Sequence, residues 1–383
     1  MSAKSFIVLF LILAVESSKI AVKPATLQAQ SPLGLPFNEL SSILGGSGKS
    51  KQLWTMLRSG DDPLGPESQL SFKVQGLLRE KFETGIIPTK ISTETVSSCG
   101  GRKQLHVLSD GLEVESVLIP HERLPRTTLC VSSQVGCDRG CIFCATGKMG
   151  LVRNLNAEEI LSQLALAKRT VRLHNLHPLK NIVFMGMGDI GMNLNTVSKA
   201  VEAIVDHERF AMASSKVTLS TVGPNPEVFD QLAQMGGTLA WSLHSAVPEL
   251  RKKLVPSSRY HDPSVLRDAL QTALLKHKSP KNRSVMIACT LMHGINCEVH
   301  DAEVLVDFLR PLSESGVKVN VDLIPYNDIG FPGISRPTDA EIVAFKEVLW
   351  RSGLNHSVRL TRGENEASAC GMLATKRKPS SIV

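Results

Sequence analysis

From about residue 127 onward, apolar runs of strand length alternate with amphipathic helical stretches, and this alternation constrains the fold more tightly than any other feature of the chain. Repeated strand and helix units are satisfied by parallel strands with right-handed crossovers. Strand patterns lie at 128–132, 181–185, 216–220, 238–243, 283–292 and 317–324. Helical patterns fall at 195–209, 226–235, 263–277, 299–315 and 338–352, and a short strand pattern follows at 357–360. The first helix opens at Asn156, a capping residue with Glu159 three positions on. About six such units predict an α/β fold, a partial (β/α)6 barrel of the TIM type over 127–375.

Upstream the periodicity changes twice. Residues 37–85 recur at helical spacing with Lys and Arg between the apolar positions, which predicts a small helical domain. Its basic residues could face RNA or simply water. Residues 86–126 read as a β-hairpin linker, with alternation in 105–108 and 114–119 around Asp110-Gly111. At the start, Lys4 precedes an apolar run over 6–15 that is too short to span a bilayer comfortably, and Glu16 is the one acid in 16–36. Residues 1–36 are therefore expected to be a two-part leader directing the chain to a plastid. An ordinary apolar N-terminal helix of a cytoplasmic or mitochondrial protein is the alternative. Residues 376–383 form a basic tail.

The chain has 383 residues, 42% of them hydrophobic, enough for a large core. A formal charge of +7 favours a polyanionic partner such as RNA without requiring one. Eight cysteines, three of them clustered, do not form the even framework of a small secreted scaffold, so a reducing compartment is expected.

The cluster is Cys137, Cys141 and Cys144, a C-x3-C-x2-C triplet in the loop after the first barrel strand. Three thiolates leave the fourth iron of a [4Fe-4S] cube open to a substrate or cofactor, whereas electron-transfer clusters are usually held by four. A structural zinc site completed by a distant residue is the alternative. In a βα barrel the reactive residues gather at the C-terminal ends of strands. Gly186 to Asp189, Ser220 and Thr221, Ser242 to His244, and Pro325 to Asn327 all fall at such ends.

With the triplet at the end of strand one, the chain resembles the radical S-adenosylmethionine (SAM) superfamily. The run from Thr128 through Cys130 and Cys137 to Gly150, followed by Arg153-Asn154-Leu155, is similar in particular to the RlmN/Cfr family of RNA adenosine methyltransferases. Matching segments recur at 181–188, 217–221, 242–244, 254–256, 323–327 and 369–371, and the likeness covers about 37–375, with the RlmN branch fitting better. The resemblance implies a [4Fe-4S] cluster on Cys137, Cys141 and Cys144, and SAM bound by Gly188, Asp189, Ser220, Ser242, Leu243, His244 and Asn327. It implies that Cys370 carries a methyl group from SAM, that Glu115 takes the proton from adenine C2, and that Cys130 releases the product by pairing with Cys370. The implied partners are rRNA and/or tRNA and an external one-electron donor such as ferredoxin or flavodoxin. A monomer without stable membrane association is expected.

The chain departs from the family pattern at two places. Gly188-Asp189-Ile190 stands where the family usually has Gly-Glu-Pro, so a shorter carboxylate and a looser turn are expected. Ala288 to Met292 replaces an acidic-aromatic pair in strand five. These changes leave open a catalytically silent RNA-binding paralogue, while the retained pair Cys130 and Cys370 favours the enzyme.

Overall fold

The computed structural model describes residues 31–121, 124–277, 282–359 and 370–375. Most of the expected leader and all of the basic tail lie outside the described residues. The described end of the leader is already folded. Leu33 is fully buried, and Ser31 Oγ donates to the Ile86 carbonyl at 2.7 Å. Residues 31–36 thus already belong to the folded body, ahead of the boundary expected at 37.

Three helices follow, α1 (Phe37–Leu44), α2 (Ser47–Ser59) and α3 (Phe72–Lys81). Instead of a hairpin linker, the next segment is a three-stranded meander, β1 (Lys90–Val96), β2 (Arg102–Val107) and β3 (Glu113–Pro120). Its last strand pairs antiparallel with the first barrel strand, β4 (Thr127–Cys130), so the meander is part of the main sheet. The partner strand β1 escaped notice in the sequence because it is polar and mostly exposed, with no alternation to betray it.

The loop after β4 is more structured than its sequence suggested. A hairpin of β5 (Gln134–Cys137) and β6 (Gly150–Asn154) encloses the short helix α4 (Ala145–Met149). Gly136, at φ +76°, permits this pairing, since a Cβ there would lie 1.9 Å from the Gly150 carbonyl oxygen. The chain then runs through α5 (Ala157–Leu173), β7 (Leu179–Phe184), α6 (Leu194–Val205), β8 (Val217–Thr221), α7 (Glu227–Gln234), β9 (Thr238–Ser242), α8 (Pro248–Leu254) and α9 (Pro263–Leu275). It finishes with β10 (Ser284–Leu291), α10 (Val299–Glu314), β11 (Lys318–Pro325), α11 (Asp339–Arg351) and β12 (Asn355–Val358). The cap expected for α5 is a reciprocal one, Asn156 Oδ1 accepting from Glu159 N and Glu159 Oε2 from Asn156 N. Helix α8 was not anticipated, because Pro-Glu-Leu-Arg-Lys-Lys-Leu shows little apolar periodicity. Its Pro at the first turn and its basic last turn were the available signals.

Strands β4, β7, β8, β9, β10, β11 and β12 are parallel neighbours in chain order. That singly wound order is a partial barrel, with its strand C-termini on one rim. The N-terminal helices share its core. Trp54 on α2 is fully buried and meets Phe210 edge-on at 5.2 Å, and Arg58 Nη1 donates to the His207 carbonyl at 3.0 Å. Among the described residues no helix is long and apolar enough to cross a membrane. Because Trp54 joins the two parts, Trp54→Ala should lower stability by about 3–5 kcal/mol. Denaturant unfolding that showed the helices melting separately, with the barrel unaffected, would contradict a shared core.

Candidate active site

A cleft of about 1240 Å³, its open mouth included, lies on the C-terminal rim of the parallel strands. Its lining includes Cys137, Cys141 and Cys144, as well as Cys130 and Cys370. Gly188, Asp189, Ser220, Ser242, His244 and Asn327 line it too. The rim pattern read from the sequence therefore converges on one cavity.

The triplet occupies the loop between β5 and α4, with Cys137 and Cys141 buried. Burial pushes the Cys137 thiol up to about 12 and raises the Cys141 thiol well above its ordinary value, a cost that a bound cation offsets. Three thiols from one loop, facing one cleft, are the donor set of a cube with one open iron.

For SAM the fit rests on polar groups left without protein partners. Asn327 Nδ2 donates to the Cys370 carbonyl at 2.9 Å, but its Oδ1 is buried and unbonded, ready for a ligand donor. Ser220 and Ser242 place their hydroxyls 3.1 Å apart at the ends of β8 and β9. His244 has φ +63° and packs its ring on Phe143 at 4.4 Å between centroids. Its Nδ1 accepts from Thr290 N at 3.1 Å, so in the neutral ring the proton sits on Nε2. Asn296 ties this rim together by donating to the His244 and Thr290 carbonyls, each at 2.8 Å.

Three expectations are corrected here. Leu243 is fully buried in the main core and does not line the cleft; only its neighbours do, because side chains alternate along the strand end. Asp189 does not offer a free carboxylate. Oδ1 accepts from Gly191 N at 2.8 Å and Thr221 Oγ1 at 2.7 Å, and Oδ2 accepts from Val222 N at 2.7 Å. Burial nonetheless raises its pKa. The turn is also tight, not loose, since Asp189 caps the 3-10 turn Ile190–Met192 and Ile190 is buried. In β10, Ala288 and Thr290 face the cleft and Cys289 points away from it, while Cys297, beyond the strand, is buried.

The segment 370–375 crosses this cleft as a strap. Ala145 N donates to Gly371 O at 2.7 Å, Thr146 Oγ1 to Leu373 O at 2.6 Å, and Ala374 N to Glu115 Oε2 at 2.9 Å. With Asn327 these contacts fix exposed Cys370 against α4, β11 and β3. Gly371, at φ +86°, is required because a Cβ would come 3.0 Å from Phe143 O. Glu115 lies behind the cleft wall, buried, its Oε1 3.1 Å from Lys103 Nζ. Burial raises its pKa, against the pull of Lys103 and Ala374. Cys130 is buried across from Val117, and burial pushes its thiol up to about 12, opposed by Arg359. Arg359 and its partner Asp322 were not singled out in the sequence. Arg359 Nε donates to Asp322 Oδ2 at 2.5 Å, and the guanidinium lines the cleft with Cys130 and Cys370. An acid on β11 and a lone Arg just after β12 were the only available hints.

Comparison with known proteins agrees with this geometry. The family described as the Radical SAM superfamily matches residues 131–300. A solved structure, a radical SAM methyltransferase from Sphaerobacter thermophilus, superposes with a TM-score of 0.81 and 30% identity, covering 90% of this chain and 98% of that one. Fold and site thus define a radical SAM protein. Among curated proteins, the dual-specificity RNA methyltransferase RlmN of Magnetococcus marinus is 35% identical over 85% of this chain and 88% of its own. That of Francisella tularensis subsp. novicida is 38% identical, with 78% of each chain covered. The chain belongs to the RlmN family, whose superfamily uses a [4Fe-4S] cluster and SAM.

Buried His106 and His244 both have pKa values pushed down to about 3 by burial. Below 6.5 the unfolded chain takes up protons that the folded one refuses, so their stabilising contribution is lost as pH falls from 6.5 toward 3. The difference in urea midpoint between wild type and His106→Asn should therefore shrink over that range. A difference independent of pH would refute the assignment.

Proposed function

We propose that this protein methylates C2 of an adenosine in RNA, forming 2-methyladenosine in rRNA, tRNA or both, through a methyl group carried on Cys370. The observation that carries this reading is the strap that pins Cys370 in the same cleft as Cys130 and the cysteine triplet. The named relatives, dual-specificity RNA methyltransferases, support the RNA substrate.

Cys137, Cys141 and Cys144 would hold the cluster, and Asn327, Ser220 and Ser242 would orient SAM. When bound, these groups would supply one-electron cleavage of SAM to a carbon radical that removes a hydrogen atom from the Cys370 methyl group, and would take one electron back once that carbon is bonded to adenine C2, which is too electron-poor for polar methyl transfer. The chain's own residues do the rest. Cys370 Sγ holds the carbon that becomes bonded to C2. Glu115, its pKa already raised by burial, accepts the C2 proton once the strap moves off its carboxylate. The Cys130 thiolate then attacks Cys370 Sγ. The carbon–sulfur bond breaks, the carbon leaves with the electron pair and takes a proton, and a Cys130–Cys370 disulfide forms. Arg359 lowers the cost of the Cys130 thiolate at that step.

The electron is taken to come from an external carrier such as ferredoxin or flavodoxin, and the chain to act as a monomer. Residues 1–30 are proposed to direct it to a plastid. A fluorescent reporter carrying them should enter that compartment, and its secretion would rule the proposal out.

Anaerobic reconstitution followed by mass spectrometry of RNA digests tests the chemistry. Wild type should produce 2-methyladenosine, and Cys370→Ala should produce none. Cys130→Ala should accumulate a covalent protein–RNA adduct on denaturing gels. Absence of product from wild type on both rRNA and tRNA would sink the proposed activity.

A further inference from the structure

Arg251, in the middle of α8, is fully buried, yet it has no acidic hydrogen-bond partner. Its Nε donates to Leu243 O at 3.1 Å and its Nη2 to Val222 O at 2.6 Å, while Nη1 is left without a partner. The guanidinium lies 5.7 Å from the Trp241 ring centroid, an apolar setting. A charge in such a place is costly unless another charge offsets it. Burial brings its pKa down to about 10, which still leaves it protonated at neutral pH.

Its surroundings point to what the other charge is. Helix α8 packs directly on the cysteine loop, where Ile142 N donates to Leu254 O at 3.1 Å and Ser257 N to Arg139 O at 3.3 Å. Cys141, Leu254 and Val255 belong to one small apolar cluster. The acidic or ionisable groups close enough to act on Arg251 are Cys141, Asp189 and Asp262. Asp262 is at the surface, and the Asp189 carboxylate is saturated by Gly191, Thr221 and Val222. Two further cations border the cleft, and both are already paired, Arg139 with Asp138 at 2.9 Å and Arg359 with Asp322. Arg251 is thus the buried cation on this loop that lacks a direct acidic partner among the described residues.

We propose that Arg251 is the internal counter-charge of the iron–sulfur cluster, holding its reduction potential up from beside Cys141. Reduction adds one negative charge to a cube already made anionic by three thiolates. In a poorly polarisable interior a fixed cation nearby favours the reduced form. Arg251 acts on the cluster as a positioning and electrostatic residue, without touching substrate. The proposal rests on the triplet being the cluster's ligand set.

The test compares wild type, Arg251→Gln and Arg251→Lys after anaerobic reconstitution, with iron and sulfide content and the potential of the cluster's paramagnetic reduced state as readouts. Glutamine retains donors for the carbonyls without the charge, and lysine retains the charge without the fork. The Gln variant should load a cluster with a potential more negative than wild type, and the Lys variant should stay near wild type. A Gln variant that loads with an unchanged potential overturns the proposal. If Gln fails to load, Lys decides: loading by Lys supports a need for charge, and its failure assigns Arg251 a purely hydrogen-bonding role. Failure of wild type to bind iron would instead refute the ligand set, and the proposal with it.

Discussion

A carboxylate buried at the end of a parallel strand must find its hydrogen bonds inside the protein, and the rim of this barrel is organised by how Asp189 does so. Its oxygens take the Gly191 and Val222 amides and the Thr221 hydroxyl, binding the loop after β7 to the loop after β8. The same Val222 turns its carbonyl to Trp241 Nε1 and Arg251 Nη2, which carries the connection to β9 and α8. Arg251 in turn holds the Leu243 carbonyl. Three strand ends and the helix that covers the cysteine loop are therefore set by one chain of polar contacts. An apolar residue at 189 would strand the Val222 amide, and with it the register of the whole rim.

The strap is a second, looser layer on that rim. It is held by backbone carbonyls and one amide, none of them charged on the strap side, so its geometry is specific without being tightly bound. Glu115 anchors this layer, since the carboxylate proposed to take a proton also receives the Ala374 amide. Docking of the strap and availability of the base are thus linked at one oxygen. This coupling favours a site that is closed while Cys370 is positioned and opens as the proton is taken.

Much of the fold could be read from periodicity. The parallel strands and most of their helices fell where apolar runs placed them, because buried strands in a singly wound sheet leave long uniform apolar signals. What escaped was polar or short: β1, the β5–β6 hairpin and α8, whose formation depends on neighbours and not on its own pattern. The cleft's residues were legible through motif context, whereas their partners were not. Nothing in the sequence shows that Asp189 turns inward, that Leu243 points to the core, or that Arg359 and Asp322 meet across β12 and β11. Such contacts come from strand neighbours distant in the chain, which local spacing cannot report.

The meander that precedes the barrel has a further effect. β3 occupies the outer edge of β4, where a complete barrel would receive its last strand, so β12 at the far end of the sheet has no place to close. Among the described residues the enclosure is consequently an open trough and not a closed cup. A cup admits only what can pass down its bore, base first and detached. A trough lets a polymer lie along its open side and lower a single base toward the cysteines while the flanking chain stays outside.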